Sequence, residues 1–237
     1  MPLLFFNPVW MLITLGGLAL SLWAGHRVKS TFRRYEKVGV RSGMTGAQAA
    51  AAVCRSGGVT DITIERHQGF LSDHYDPRAR ALRLSPEVYD GRSVSSIAVA
   101  AHEAGHAIQD VKEYAWLGFR SKMVPVVTIG NQTWPLVFMV GAVLMGVAPA
   151  LGQVALAVAI ALFGTLVVFQ LVTLPVEFDA SNRAKAVLAQ TGIVSTQEEA
   201  QGVEDVLGAA AMTYVAAAAV SVVQFLYLVL QLLGSRD

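Results

Sequence analysis

The stretch MVPVVTIGNQTWPLVFMVGAVLMGVAPALGQVALAVAIALFGTLVVFQLVTLPV, residues 123–176, decides the fold. It contains no Asp, Glu, Lys or Arg. A helix crosses a bilayer with about 20 apolar residues, because the hydrocarbon layer is about 30 Å thick and each residue rises about 1.5 Å. The run is long enough for two crossings. Residues 123–148 read as one span, with Asn131, Gln132 and Thr133 blurring its start. Residues 153–174 read as the next, and the segment around Pro149 reads as the turn between them.

The rest of the composition agrees with a membrane protein. The chain is 54% hydrophobic and only 15% charged, against about 25% charged residues in an ordinary soluble domain. Its net charge is +1, and no basic patch interleaved with aromatics appears, so nucleic acid is not an expected partner. Cys54 stands alone. No internal disulfide can form, and the thiol reads as a small buried side chain.

Working outward, residues 3–24 read as the first span, with Trp10 and Trp23 as interfacial anchors. A cleaved signal peptide would carry a basic region before its apolar run. Here the charges follow it: Arg27, Lys29, Arg33, Arg34, Lys37 and Arg41, against the single acid Glu36. The positive-inside rule puts this flank in the cytoplasm. Toward the other end, Ser195 and Glu198 fit a capping box that opens a helix. That helix continues into a last span over residues 209–233. With four spans, every Lys and Arg except Arg236 falls on the cytoplasmic side.

Between the first two spans lies a polar segment, residues 26–122. Thr45 and Gln48 form a capping box before an alanine-rich helix, which Gly57 and Gly58 close. Residues 61–66, 70–75 and 81–84 read as three short strands, the last two separated by a turn at Asp76-Pro77. Ser85-Pro86 suits the start of a helical turn. Asp90-Gly91 ends it, and Ser93 can cap the helix that follows.

That helix carries His102-Glu103-Ala104-Gly105-His106. Residues four apart lie one turn above each other on one helix face. His102 and His106 can therefore aim two imidazoles at one ion. Glu103 sits beside the first of them, where its carboxylate can take a proton from a water that the ion activates. A catalytic zinc takes three protein ligands and leaves a fourth position to water, and this pattern on a helix is that of a metalloprotease. An amphipathic helix with two solvated histidines is the plainer alternative, and it has no use for the run of small residues, Ala100, Ala101, Ala104, Gly105 and Ala107, that lets another backbone come close.

The third ligand follows from topology. Two crossings separate His106 from Glu177, so the chain returns to the face it left. Pro175 reads as the end of the third span and the first turn of a new helix. Glu177 then emerges beside the two histidines, and two His with one Glu is a known catalytic zinc set. Ser181, four residues on, shares its face and can hydrogen-bond a ligand. Asp179 is about 200° round the helix and should pair with Arg183. His74 and Tyr75 lie in the strand before the histidine helix. They are weaker candidates, for meeting an extended substrate or for steadying an oxyanion. A turn rich in Asp and Pro accounts for them equally well.

The chain resembles the YugP-type neutral zinc metallopeptidases of bacteria. The matching stretches are Ser72-Asp-His-Tyr-Asp-Pro77, Leu84-Ser-Pro-Glu-Val-Tyr-Asp-Gly-Arg-Ser93, HEAGHAIQD at residues 102–110, Leu174-Pro-Val-Glu-Phe-Asp-Ala-Ser181 and Ala209-Ala-Ala-Met-Thr-Tyr214. The resemblance implies Zn2+ as cofactor, a membrane-embedded peptidase fold, and Glu177 as third ligand. More distantly the chain is similar to HtpX-type membrane proteases, which place their metal helix on the cytoplasmic side. Those carry a Glu-x-x-x-Asp pattern, and Ser181 stands here where the Asp would be.

The expected molecule is an α-helical membrane protein with about four transmembrane helices and a small α+β, zincin-like cytoplasmic domain. Its expected segments are a first span (1–25), the α+β metallopeptidase domain (26–122), a transmembrane hairpin (123–174), a cytoplasmic helical segment with the third ligand (175–208) and the last span (209–237). The expected function is zinc-dependent hydrolysis of peptide bonds at the bacterial cell membrane. Glu103 is the catalytic residue, and His102, His106 and Glu177 hold the metal. The substrates are peptides or proteins, membrane proteins among them. Two alternatives stand beside it: a scaffold or adaptor with a structural metal, for which Glu103 would be superfluous, and a metal sensor. Other divalent metals suit the same ligands.

Overall fold

The computed structural model describes residues 7–234. The first residues of the expected first span, and Arg236, lie outside the described residues. The elements in order are α1 (Pro8–Tyr35), α2 (Gly46–Ser56), β1 (Thr63–Arg66), β2 (His74–Asp76), β3 (Ala81–Leu84), α3 (Pro86–Tyr89), α4 (Val94–Val111), α5 (Ala115–Val147), α6 (Pro149–Gln190) and α7 (Gln197–Leu233). The chain divides into two compact units.

One unit draws on the chain up to Trp23, on Phe119–Leu174 and on the chain from Thr213. It consists of stretches of α1, α5, α6 and α7, the four helices long and apolar enough to cross a membrane. Its buried core is thin, formed around Trp10, Phe138, Leu156, Phe163 and Leu228. Outside that core the helices present apolar side chains: Ile129, Leu136, Val143 and Val147 on α5 are all exposed. Water would penalise such a continuous apolar surface, whereas hydrocarbon would not.

Two sequence expectations need correction here. Asn131, Gln132 and Thr133 do not interrupt α5, which runs unbroken from Ala115. The Thr133 hydroxyl donates to the Ile129 carbonyl at 2.8 Å, so its polarity is met within the helix. Nor does Pro175 end a helix, since α6 continues through it to Gln190. Proline removes one backbone donor and in water disfavours the helix interior by about 3 kcal/mol. The carbonyl that loses its amide donor is that of Leu171, and long apolar helices tolerate such a loss through small local adjustments of the backbone.

The other unit comprises Ala24–Gly118 and Pro175–Met212. Its sheet has the order β1-β3-β2, with β1 parallel and β2 antiparallel to β3. The parallel pairing sets Ile64 opposite Leu82, and the antiparallel pairing sets Tyr75 opposite Leu82 from the other side. The helices α2 and α4 pack together over this sheet. The core is closed: Val53, Leu82, Leu84, Val88, Ile97 and Ala104 are fully buried.

The caps fall where local chemistry demands. Thr45 and Gln48 close a reciprocal box on α2, and the Ser93 hydroxyl accepts from the Ser96 amide at the start of α4. The box on α7 sits one residue later than the sequence suggests. Thr196 caps the Glu199 amide, and the Glu199 carboxylate accepts from the Thr196 and Ser195 amides. From that position Glu199 also takes the Arg41 amide at 2.7 Å, which Glu198 does not. One buried carboxylate thus ties the start of α7 to the segment between α1 and α2.

Candidate metal centre

Three side chains of the second unit converge: His102 and His106 from α4, and Glu177 from α6. Their nearest nitrogen and oxygen atoms all lie within 4.8 Å of one another. The Nε2 atoms of His102 and His106 are 3.2 and 3.6 Å from Oε2 of Glu177. A tetrahedral zinc with bonds of about 2.0–2.1 Å separates its ligand atoms by about 3.3–3.4 Å. The donor set and its spacing fit such an ion.

Burial makes the arrangement costly without a cation. Glu177 is 2% exposed and His106 8%. A carboxylate in such a place requires compensation. Burial works against a charged imidazole at His106. The nearby carboxylates of Glu177 and Glu103 outweigh it and hold its pKa above the usual histidine value. A divalent ion would answer the same pull.

Gly105 explains how α6 comes close enough to deliver Glu177. A Cβ at residue 105 would stand 2.4 Å from the Ala180 carbonyl oxygen and 3.0 Å from its carbon. The two backbones touch there, and only glycine leaves room. The glycine inside the histidine motif is therefore a packing requirement.

Each histidine is steadied on its far side. Nδ1 of His102 lies 3.1 Å from the Ser181 hydroxyl, in keeping with the shared helix face of Glu177 and Ser181. Nδ1 of His106 lies 3.0 Å from Oε1 of Gln109. Sequence reasoning passed over Gln109, although its position three residues after His106 put it within reach on the same helix. Asp179 pairs with Arg183 at 2.5 Å, as the spacing predicts. It also accepts from the Gln109 amide at 2.8 Å, so it is joined to the site through one intermediary. Glu103 is 9% exposed, and its charge acts on both His106 and Asp73.

The weaker candidates are engaged elsewhere. The Tyr75 hydroxyl donates to Asp110 at 2.8 Å, and burial together with that bond raises its pKa. Nδ1 of His74 lies 2.8 Å from the Ser72 carbonyl oxygen, and its ring packs edge-on against His67. Just before them, Asp73 accepts from both the amide and the hydroxyl of Ser85. Burial, with a smaller contribution from Glu103, nevertheless pushes its pKa up to about 6.

Residues 10–233 match the model of a family described as "putative neutral zinc metallopeptidase". The chain belongs to that family. It is also 45% identical over 229 residues to the "Putative membrane protease YugP" of Bacillus subtilis (strain 168), a match covering 97% of this chain and 99% of the relative. No solved structure matches it. His102, Glu103, His106 and Glu177 all lie inside the matched range.

Proposed function

We propose that this protein is a membrane-bound zinc endopeptidase. The observation that carries the reading is the convergence of His102, His106 and Glu177, with the poorly exposed Glu103 near enough for its charge to act on His106. Zinc held by the three ligands would supply Lewis acidity toward a water and toward the scissile carbonyl. Glu103 then acts as the general base: its carboxylate receives the proton of the attacking water and passes it to the departing amine. His102 and His106 would hold the metal through Nε2, which leaves their Nδ1 atoms to Ser181 and Gln109.

The substrate is a peptide or protein segment in extended conformation, membrane proteins included. The edge strand β2 offers backbone groups for pairing with such a segment. A site on the cytoplasmic side of the cell membrane is supported by the basic flank after the first span.

The test is Glu103→Gln in the full chain purified in detergent. Glutamine keeps the size of the side chain and cannot accept the proton. Zinc content should equal that of the wild type, while cleavage of casein or of a fluorogenic peptide falls by about 10²–10⁴-fold. A wild type that holds zinc and cleaves nothing, under conditions where related peptidases act, would leave a structural metal as the better reading.

A further inference from the structure

We infer that Gln109 is a positioning residue that fixes the tautomer of His106, through a polar relay anchored at Asp179 and Arg183. The inference rests on the zinc reading above and extends it to residues that do not touch the metal. Gln109 is completely buried. Three polar contacts surround its amide. One nitrogen, Nε2, lies 2.7 Å from the Val176 carbonyl oxygen and 2.8 Å from Oδ2 of Asp179. Both of these atoms are acceptors. The amide can therefore be oriented only one way, with its NH2 toward α6 and its oxygen toward His106.

Oε1 of Gln109 has no proton to give, so Nδ1 of His106, at 3.0 Å, must be the donor. A neutral imidazole protonated at Nδ1 has its lone pair on Nε2. That atom faces Glu177 at 3.6 Å. The relay thus presents a ready ligand atom to the metal, and fixes the ring plane about it.

The relay has a firm far end. Oδ2 of Asp179 also accepts from Nε of Arg183 at 2.5 Å, and the Arg183 guanidinium lies 5.7 Å from the centre of the Tyr114 ring. The chain of contacts runs Tyr114, Arg183, Asp179, Gln109, His106. Its members come from α4, α6 and the loop after α4, so it also registers α6 against the histidine helix. His102 is served differently. Its Nδ1 partner is the Ser181 hydroxyl, which can donate or accept and leaves the tautomer open.

The experiment measures the zinc dissociation constant of the full chain in detergent, by competition with a chromophoric chelator at one fixed near-neutral pH. Gln109→Leu keeps the volume and removes the acceptor. It should bind zinc about 10- to 100-fold more weakly. The double variant Gln109→Glu with Asp179→Asn keeps an acceptor for His106 and gives that acceptor a donor at residue 179, although its inner oxygen then faces the Val176 carbonyl without a proton. It should recover part of the loss and bind zinc more tightly than Gln109→Leu. A residue that only fills space would give the opposite order, with Leu tolerated and the double variant impaired, and that order overturns the inference. Asp179→Ala, which leaves Gln109 held by the Val176 carbonyl alone, should weaken zinc a few-fold, and it stands in for Gln109→Leu if that variant does not fold. No change in Asp179→Ala would likewise count against the relay.

A second readout is independent of affinity. The chain has five histidines, so 15N-histidine labelling is tractable. Zinc-loaded wild type should show a slowly exchanging Nδ1 proton assigned to His106, absent in Gln109→Leu. A His106 protonated at Nε2 instead overturns the inference. A wild type that binds no zinc overturns the metal reading and this inference together, whereas a wild type and a Gln109→Leu variant that bind it equally overturn the inference alone.

Discussion

The two units of this chain are built on opposite economies of polarity. In the unit of long helices the core is thin and the apolar side chains of α5 are exposed. In the other, the aliphatic core is closed and polar side chains are buried deliberately: Gln109, Glu177, Ser181 and His106 are all under 9% exposed. A single sequence can satisfy both only if it meets two solvents. The apolar unit gains little from precise packing, because hydrocarbon is a tolerable neighbour. The polar unit depends on precision, because each buried donor or acceptor left unmatched costs about 1–3 kcal/mol.

Substitutions can break this contrast. The largest effect is expected at Glu177, the first acid after the charge-free run. Glu177→Ala should remove nearly all zinc binding, since two histidines alone make a poor site. Metal content by atomic spectroscopy on purified protein checks this. Full retention of zinc would mean that another residue completes the site.

A pair of glycines sharpens it further. Gly105→Ala drives a Cβ into the Ala180 carbonyl, which should destabilise the fold by about 1–3 kcal/mol and weaken zinc by displacing α6. Gly16 has nothing within 4 Å of an added Cβ. Gly16→Ala should be neutral, or stabilising by up to about 1 kcal/mol through helix propensity. Thermal midpoints of the two variants decide the matter, and equal shifts would erase the distinction between the units. A smaller effect is expected from Ser181→Ala, about tenfold in zinc affinity, because His102 keeps its other contacts. Chelator competition measures it.

Much of the fold was legible in the sequence because its signals are local. A charge-free run, a capping box and residues four apart on a helix act over short distances. The histidine motif was legible in its spacing of four residues, and Glu177 was expected beside it from a count of crossings; the three side chains converge. What escaped were matters of context. Pro175 is a helix breaker by intrinsic preference, yet α6 runs through it, so tertiary surroundings outweighed propensity there. The box on α7 shifted by one residue because Glu199, and not Glu198, also meets the Arg41 amide. Gln109 stood within reach of His106 on the same helix, but the partners that orient its amide, the Val176 carbonyl and Asp179, are far away in sequence and gave no local signal.

The last predicted effect is one of pH, and its sign follows from Asp73. This carboxyl precedes β2, accepts from Ser85, and is half-buried. Burial is the main reason that its pKa stands near 6 in place of the ordinary 3.8, with the Ser85 bonds opposing the shift and the Glu103 charge adding to it. The folded protein therefore binds a proton at Asp73 more tightly than the unfolded chain does. Below about pH 4 both states hold the proton, and the side chain costs nothing. As pH rises toward 6, the unfolded chain releases its proton first, and stability falls. Above about 6 the full cost of burying the charge is present, on the order of 1–3 kcal/mol. Asp73→Asn carries no charge at any pH and escapes this dependence. The stability of the Asn variant relative to wild type should thus rise between pH 4 and pH 6 and then level off. Unfolding midpoints of the two proteins, measured across that window in chelator so that metal binding does not intrude, test the point. A gap that stays constant, or that narrows as pH rises, would show that Asp73 is not held protonated by its surroundings.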